Sequence, residues 1–229
     1  MWAIACSSLR ALLYDVHGNL PALEAVLADV GDVDEFVLGG DYAVGGAWPR
    51  ETVERLKELP NATWIRGNAD RWLVDRHDAP SPIDDIGARC AEALGDELVQ
   101  ELFALPETTT VDGTLYCHAS PQNDMQSFRP DPADADAELL MGVEAPRVVF
   151  GHTHLQFART GPGGIELVNP GSVGMPWDGD HRAAYAVSHD DRIELRRVEY
   201  DWEASAAAVR ERVGELPARR IELARFDVD

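Results

Sequence analysis

Residues 10–19 read RALLYDVHGN, an apolar run that ends in a cluster of polar side chains. A short apolar run of this kind predicts a buried strand, and the Gly-Asn pair after it predicts a turn. Residues 21–30 place apolar side chains at helical spacing, so a helix should follow. A strand, a polar turn and a helix in this order form the first half of a βαβ unit.

Apolar runs that end in polar clusters recur along the chain. The clusters are Asp15-Val16-His17, Gly40-Asp41, Gly67-Asn68, Cys117-His118 and Gly151-His152-Thr153-His154. Helical patterns over residues 21–30 and 49–59 separate the first three runs, which predicts an α/β fold with parallel strands. Because ligands in open α/β sheets collect beyond the carboxyl ends of the strands, the clusters should meet at one edge.

The rest of the chain alternates helical and strand patterns. We expect a helical region over 83–105 that breaks near Gly95, a hairpin at Asp112-Gly113 and a short helix over 133–141. After Gly151 the sequence predicts antiparallel strands over 156–159, 165–168, 183–188 and 193–199, then a helix over 203–213 and a final strand over 220–226. No repeat or linker is visible, so we expect a single domain over residues 10–229 after an N-terminal extension, residues 1–9.

Composition limits the partners. The chain has 229 residues and a net charge of −21, with 41 acidic and 20 basic residues. Long nucleic acid is not expected as a partner, because it requires a basic surface, and a small phosphorylated substrate is favoured. Adaptation to high salt would give the same acidic excess. Three cysteines and no apolar stretch of about 20 residues favour a cytoplasmic protein without a membrane partner. A homo-oligomer is left open.

The clusters offer carboxylate, amide and imidazole groups without thiolates. This mixture suits divalent ions such as manganese, iron or zinc. Taken singly, each cluster is more often a turn or a satisfied polar residue. Taken together, at predicted strand ends, they favour a metal centre, and two ions about 4 Å apart would form a clamp for displacement at phosphorus.

The segments YDVHGN, GGD, RGNAD, CHASP and GHTH resemble the signature of the calcineurin-like metallophosphoesterases, and the closest pattern is that of the YfcE-like branch. Residues 169–180, NPGSVGMPWDGD, resemble a loop of the same branch, and the resemblance extends from Arg10 to about Val198. It implies a four-layer α/β/β/α sandwich with a dinuclear metal centre.

The resemblance also implies the ligands. The first ion would be held by Asp15, His17, Asp41 and His154, and the second by Asp41, Asn68, His118 and His152. The two divalent ions would be manganese, iron, zinc or nickel. Asp41, Asn68 and His118 would be catalytic as well, in a mechanism in which a metal-bridging hydroxide attacks phosphorus.

Ala69 departs from the family pattern, because many members have a histidine there that assists the leaving group. Such assistance contributes roughly 10²–10⁴-fold, so its loss favours a phosphodiesterase that acts on small, activated or nucleotide diesters. His181 is a possible substitute acid or an exposed loop residue, and Asn19 could contact a phosphate oxygen. Tyr42 and Trp177 could stack on a base or cap the cleft. The alternatives are a phosphomonoesterase or protein phosphatase, and a catalytically silent scaffold such as a eukaryotic retromer subunit.

Overall fold

The structure is a computed structural model that describes residues 8–189 and 192–228. Within these ranges two five-stranded sheets are formed, ordered β10-β9-β1-β2-β3 and β4-β5-β6-β8-β7. The strands are β1 (Arg10–Leu13), β2 (Glu35–Leu38), β3 (Ala62–Trp64), β4 (Thr108–Val111), β5 (Thr114–Cys117), β6 (Arg147–Val149), β7 (Phe157–Thr160), β8 (Glu166–Asn169), β9 (Ala183–His189) and β10 (Arg192–Val198).

The helices cover the outer faces of the sheets. They are α1 (Leu20–Val30), α2 (Pro49–Lys57), α3 (Asn68–Trp72), α4 (Ile83–Leu94), α5 (Asp96–Phe103), α6 (Asp136–Leu139), α7 (Trp202–Arg212) and α8 (Glu215–Leu223). No helix in the described part of the chain is both apolar enough and long enough to cross a bilayer.

The alternation of side chains along β1 explains the layers. Leu12 faces the second sheet and packs in a core shared with Val149 and Val168, whereas Ala11 and Leu13 face the helices of the first sheet. Successive side chains of a strand point to opposite faces, so a strand that is apolar on both faces must be covered on both. The expected four-layer α/β/β/α sandwich is confirmed.

Most of the predicted elements are present. Strands β1, β2 and β3 are parallel to one another, and the helical region breaks at Gly95 between α4 and α5. The Asp112-Gly113 hairpin is also formed, with both residues at positive φ, as a tight two-residue turn requires. Residues 1–7 of the expected N-terminal extension lie outside the described residues, and the single domain over 10–229 stays a prediction.

Two predictions were wrong. Residues 220–226 do not form a strand, because α8 continues to Leu223 and its buried residues Pro217, Ala218 and Ile221 follow helical spacing. The strands after Gly151 are also not all antiparallel. Although β7–β8 and β9–β10 pair in that way, β8 lies parallel to β6, which places Val168 beside Val149 in the core between the sheets.

Candidate metal centre

The polar residues that follow the strands meet at one edge of the sandwich. The first sheet contributes Asp15, His17, Asp41 and Asn68, and the second contributes His118, His152 and His154. We call these seven residues the polar cluster. All are buried except His152, which is half-buried. The structure therefore brings together all seven residues that the sequence analysis named as metal ligands.

One half of the polar cluster is built around two imidazoles. The Nε2 atoms of His17 and His154 lie 3.1 Å apart, and Nε2 of His154 is 3.5 Å from Oδ1 of Asp15. Oδ2 of Asp41 lies 3.7 Å from Nε2 of His17. Two carboxylates and two imidazole nitrogens thus surround one point.

The other half is built around the amide of Asn68. Its Oδ1 lies 2.9 Å from Nε2 of His118 and 2.8 Å from Nδ1 of His152. Oδ2 of Asp41 is 3.5 Å from Nε2 of His118, so this carboxylate lies between the two halves. Asp15 is placed in a similar way, with Oδ1 3.9 Å from Nε2 of His118.

Backbone carbonyls orient three of the imidazoles. Nδ1 of His17 lies 2.7 Å from the carbonyl oxygen of Val44, and Nδ1 of His118 lies 2.8 Å from that of Gly39. Nδ1 of His154 lies 2.5 Å from the carbonyl oxygen of Met175. A carbonyl only accepts, so each Nδ1 carries the proton and donates it. In the neutral ring the Nε2 lone pair then faces the centre of the cluster, as in histidines that bind metals.

The arrangement of acceptors fits divalent metal ions. Two Nε2 lone pairs that face each other at 3.1 Å repel unless a cation lies between them. Oδ1 of Asp15 is buried and has no hydrogen-bond partner among the described residues. Metal–ligand bonds of about 2.0–2.2 Å place two ligands of one ion roughly 3–3.5 Å apart. The sets Asp15/His17/His154 and Asp15/Asp41/His118 each have ligand atoms within 4.8 Å of one another.

The pKa shifts show that nearby positive charge favours the ionised form of the two buried carboxylates. Burial raises the pKa of Asp15 well above its usual value, although His118 opposes this. Burial would also raise the pKa of Asp41, but His118 and His17 lower it far below its usual value. The pKa of His118 shifts in the opposite direction. Burial would lower it, but the charges of Asp41 and Asp15 raise it to about 10. A divalent cation would supply the charge that the His118 proton otherwise provides.

The remaining imidazoles are kept neutral, which is the form that binds metals. Burial lowers the pKa of His17 and lowers that of His154 strongly. Burial, together with the nearby His118, lowers the pKa of His152 to about 4. These three rings can therefore bind a cation without first losing a proton at neutral pH.

The backbone of the cluster is strained. Five of its seven residues, Asp15, His17, Asp41, His152 and His154, have φ between 48° and 67°. That left-handed region is uncommon for residues other than glycine and is concentrated at functional sites. Glycines allow the close approach of the segments, since a Cβ on Gly67 would lie 2.2 Å from Oδ1 of Asp41 and one on Gly151 would lie 2.4 Å from Oδ2 of Asp15.

Asp70 positions the loops of the candidate site, and the sequence analysis missed it. Its buried carboxylate accepts hydrogen bonds from the backbone N–H groups of Asp41 (2.8 Å), Tyr42 (3.1 Å) and Gly67 (2.9 Å). It thereby ties the loop after β2 to the loop after β3. Burial and the charge of Asp41 raise its pKa to about 7. The available signal was its place in RGNAD, at the start of a helix whose N–H groups require an acceptor.

A cavity of about 710 Å³ opens above the polar cluster. Ala69 and Trp177 line it, and the Trp177 ring stacks on the His154 ring with centroids 3.6 Å apart. Three arginines, Arg129, Arg220 and Arg225, lie along its wall. The cavity thus combines the candidate metal ligands with aromatic surface and positive charge, a combination that suits a small phosphorylated molecule.

Asn19 and His181, predicted to bind substrate, do not line this cavity. Asn19 caps α1 by accepting from the N–H of Ala22, and its Nδ2 donates to the carbonyl of Gly174 at 2.8 Å. His181 stacks on Trp202 and its Nε2 lies 2.9 Å from the carbonyl oxygen of Glu222. Helix capping and packing occupy both side chains in this structure.

The two aromatic residues that the sequence left open differ in position. Tyr42 is fully buried and its hydroxyl lies 2.6 Å from the carbonyl oxygen of Ile65, so it packs in the core. Trp177 lines the cavity and faces a ligand-binding space. Of the two, only Trp177 is placed to contact a substrate.

Comparison with known proteins gives consistent matches over most of the chain. The family model for the calcineurin-like phosphoesterase superfamily domain matches residues 10–192. The uncharacterized protein MJ0912 of Methanocaldococcus jannaschii is 28% identical, covering 95% of this chain and 99% of its own length. The crystal structure of a metallophosphoesterase from Sphaerobacter thermophilus aligns with a TM-score of 0.82 at 30% identity, over 95% of this chain and 99% of that one. A hypothetical protein from Pyrococcus horikoshii, PH1004, has the same fold, with a TM-score of 0.80 at 22% identity over 96% and 99% of the two chains.

Proposed function

The chain belongs to the calcineurin-like phosphoesterase superfamily and is a metal-dependent hydrolase of phosphoric esters, and from this premise we propose that it is a phosphodiesterase with a dinuclear metal centre. The proposal of a diester as substrate rests on Ala69. It lines the cavity at the position where many members of the family have a histidine.

The residues around the cavity support the lack of a leaving-group histidine. Among the described residues that line it, the histidines are His17, His152 and His154, and all three belong to the polar cluster. In the part of the chain that the structure describes, no further imidazole lines the cavity where it could protonate a departing oxygen. A substrate must then have a good leaving group, as activated and nucleotide diesters have, because unassisted departure of an alkoxide is slow.

The two halves of the polar cluster support two ions. Asp15, His17 and His154 would hold one, Asn68, His118 and His152 would hold the other, and Asp41 would contact both. Divalent ions in these places supply a nucleophile at neutral pH and neutralise charge on phosphate. The protein supplies ligands that are already oriented, since carbonyls fix three rings and Asp70 fixes the loop that carries Asp41.

Size and charge support a small substrate. The cavity of about 710 Å³ suits a nucleotide-sized molecule, and the net charge of −21 disfavours a long polyanion. We propose a nucleotide diester or a dinucleoside polyphosphate as substrate, with manganese, iron, zinc or nickel as the metal. No long nucleic acid and no membrane partner is part of this proposal.

The test compares a diester with a monoester that has the same leaving group. Purified protein loaded with Mn²⁺ should hydrolyse bis-p-nitrophenyl phosphate at least about tenfold faster than p-nitrophenyl phosphate. Because p-nitrophenolate departs without general acid assistance, this ratio measures the preference for a diester alone. Equal rates, or a faster monoester, would instead assign a phosphomonoesterase. Metal analysis should give two ions per chain, and one ion per active chain would refute the dinuclear centre.

Ala69→His supplies the matched variant. Restoring an imidazole at this position should raise the rate for an alkyl monoester such as glycerol phosphate, whose alkoxide needs general acid assistance, relative to the rate for bis-p-nitrophenyl phosphate. If the ratio of the two rates stays the same while the variant keeps its metal and its melting temperature, residue 69 does not determine the preference for diesters.

A further inference from the structure

Three arginines in the wall of the cavity form no ion pair with a described carboxylate. Among the described residues, no carboxylate oxygen lies within 4.0 Å of the guanidinium groups of Arg129, Arg220 or Arg225, although other arginines such as Arg71 and Arg197 form such pairs. The chain has 41 acidic and only 20 basic residues, so carboxylates are abundant. Positive charge without an ion-pair partner beside a phosphoesterase centre suggests that an external anion binds there.

Arg220 is the most firmly held of the three. Its Cζ lies 4.4 Å from the ring centroid of Phe226 and 5.4 Å from that of Trp177, and its Nε donates to the carbonyl of Phe226 at 3.2 Å. Because Trp177 stacks on His154, one aromatic ring separates the guanidinium from a residue of the polar cluster. Its terminal nitrogens have no hydrogen-bond acceptor among the described residues.

The end of α8 is fixed to the segment that follows β8. The N–H of Gly179 donates to the carbonyl of Ala224 at 3.0 Å, and His181 contacts the carbonyl of Glu222. The same segment carries Trp177. The position of Arg220 over the cavity is therefore set before any ligand binds, which limits the entropy lost on binding.

Burial leaves the charge of Arg220 poorly compensated. It lowers the pKa of the guanidinium, and the attraction of Asp227 only partly offsets this. A bound anion would compensate the charge, and a guanidinium offers two parallel N–H groups that match phosphate oxygens.

We propose that Arg220 binds a second phosphate of the substrate, next to the phosphate that is hydrolysed. This inference rests on the proposed function and narrows it, because it selects substrates with at least two phosphates over simple diesters. Trp177, between Arg220 and His154, then forms the side of the cavity along which the substrate spans the two phosphate sites.

The test measures binding without turnover. We would titrate Mn²⁺-loaded protein with AMP, which has one phosphate, and with α,β-methylene-ADP, which has two and is not hydrolysed. A charge-assisted pair of hydrogen bonds corresponds to about 10- to 100-fold in affinity, so α,β-methylene-ADP should bind tighter by about that factor. Arg220→Gln should remove this preference, and Arg220→Lys should keep part of it.

Arg219→Gln is the matched control, because it removes the same charge from the same helix at a residue outside the cavity wall. It should leave the preference for two phosphates intact. Equal losses for both ligands in Arg220→Gln, or no preference in the native protein, would overturn the assignment, as would an equal effect of Arg219→Gln. If bis-p-nitrophenyl phosphate is not hydrolysed, the proposed function fails, whereas the comparison of the two nucleotides still decides the role of Arg220.

Discussion

Replacing Gly67 with alanine should displace Asp41 and disable the metal centre while leaving the sandwich folded. The added Cβ would lie 2.2 Å from Oδ1 of Asp41 and 2.6 Å from its backbone nitrogen. The backbone of Gly67 has φ −94° and ψ 175°, an extended conformation that alanine adopts freely, so the effect is purely steric.

The size of the effect follows from the distance. The carboxylate must retreat by about 0.8 Å before the contact reaches 3.0 Å, below which Cβ contacts essentially never occur. This movement also disturbs the hydrogen bond from the N–H of Ala69 to Oδ1 of Asp41, now 2.8 Å. A misplacement of about 1 Å at a reaction centre costs roughly 10²-fold in rate, and overpacking costs about 1–3 kcal/mol of stability.

The assay combines metal content per chain, the rate with bis-p-nitrophenyl phosphate at saturating Mn²⁺, and urea unfolding. Gly87→Ala in α4 is the control, because its Cβ would make only ordinary contacts, with the carbonyl oxygen of Trp72 at 3.6 Å and Cδ of Arg76 at 3.9 Å. Helix propensity predicts that the control gains up to about 1 kcal/mol of stability and keeps its rate. A Gly67→Ala protein with native metal content and a rate within threefold of the native rate would refute the steric account.

Three further outcomes are expected. Asp41→Asn should lower the rate about 100-fold or more at fixed Mn²⁺, since its carboxylate lies between His17 and His118; full activity would contradict the position of Asp41 between two ions. Removal of metal with EDTA should abolish hydrolysis and lower the melting temperature, and Mn²⁺ should restore both; a melting temperature indifferent to metal would argue against binding at the polar cluster. Asp136→Ala should lower the free energy of unfolding, measured in urea, by about 3 kcal/mol without loss of metal, because it leaves the nearly buried Arg159 without its carboxylate partner at 2.7 Å. A decrease below about 1 kcal/mol would show that water screens this ion pair.

The part of the site that the sequence predicts is the part built locally. Asp15, Asp41 and His118 each follow an apolar run, and a buried strand leaves its next residues at the edge of the sheet. The parallel arrangement of β1, β2 and β3 follows from the helices between them, and it brings the strand ends together.

The rest depends on contacts between distant segments. A strand was expected over residues 220–226, but Ala218 and Ile221 are buried where α8 packs against α7, and this contact favours a helix. Arg220 reaches the cavity only through this packing, so no local pattern identifies it. Asn19 was expected at a phosphate because it follows the first polar cluster. Its side chain instead accepts a hydrogen bond from a free N–H group at the start of α1 and caps that helix.

The left-handed backbone at Asp15, His17, Asp41, His152 and His154 also determines which substitutions the fold can absorb. Asparagine and glycine adopt this conformation readily, whereas a β-branched residue would add roughly 1–2 kcal/mol of strain at each position. Exchange of a ligand for asparagine or glycine should therefore abolish hydrolysis without unfolding the chain. Exchange for valine or isoleucine should both abolish hydrolysis and lower the stability of the fold. In evolution this protein could thus lose its activity and keep its fold, provided that its ligands were first replaced by asparagine or glycine, the residue types that this backbone conformation favours.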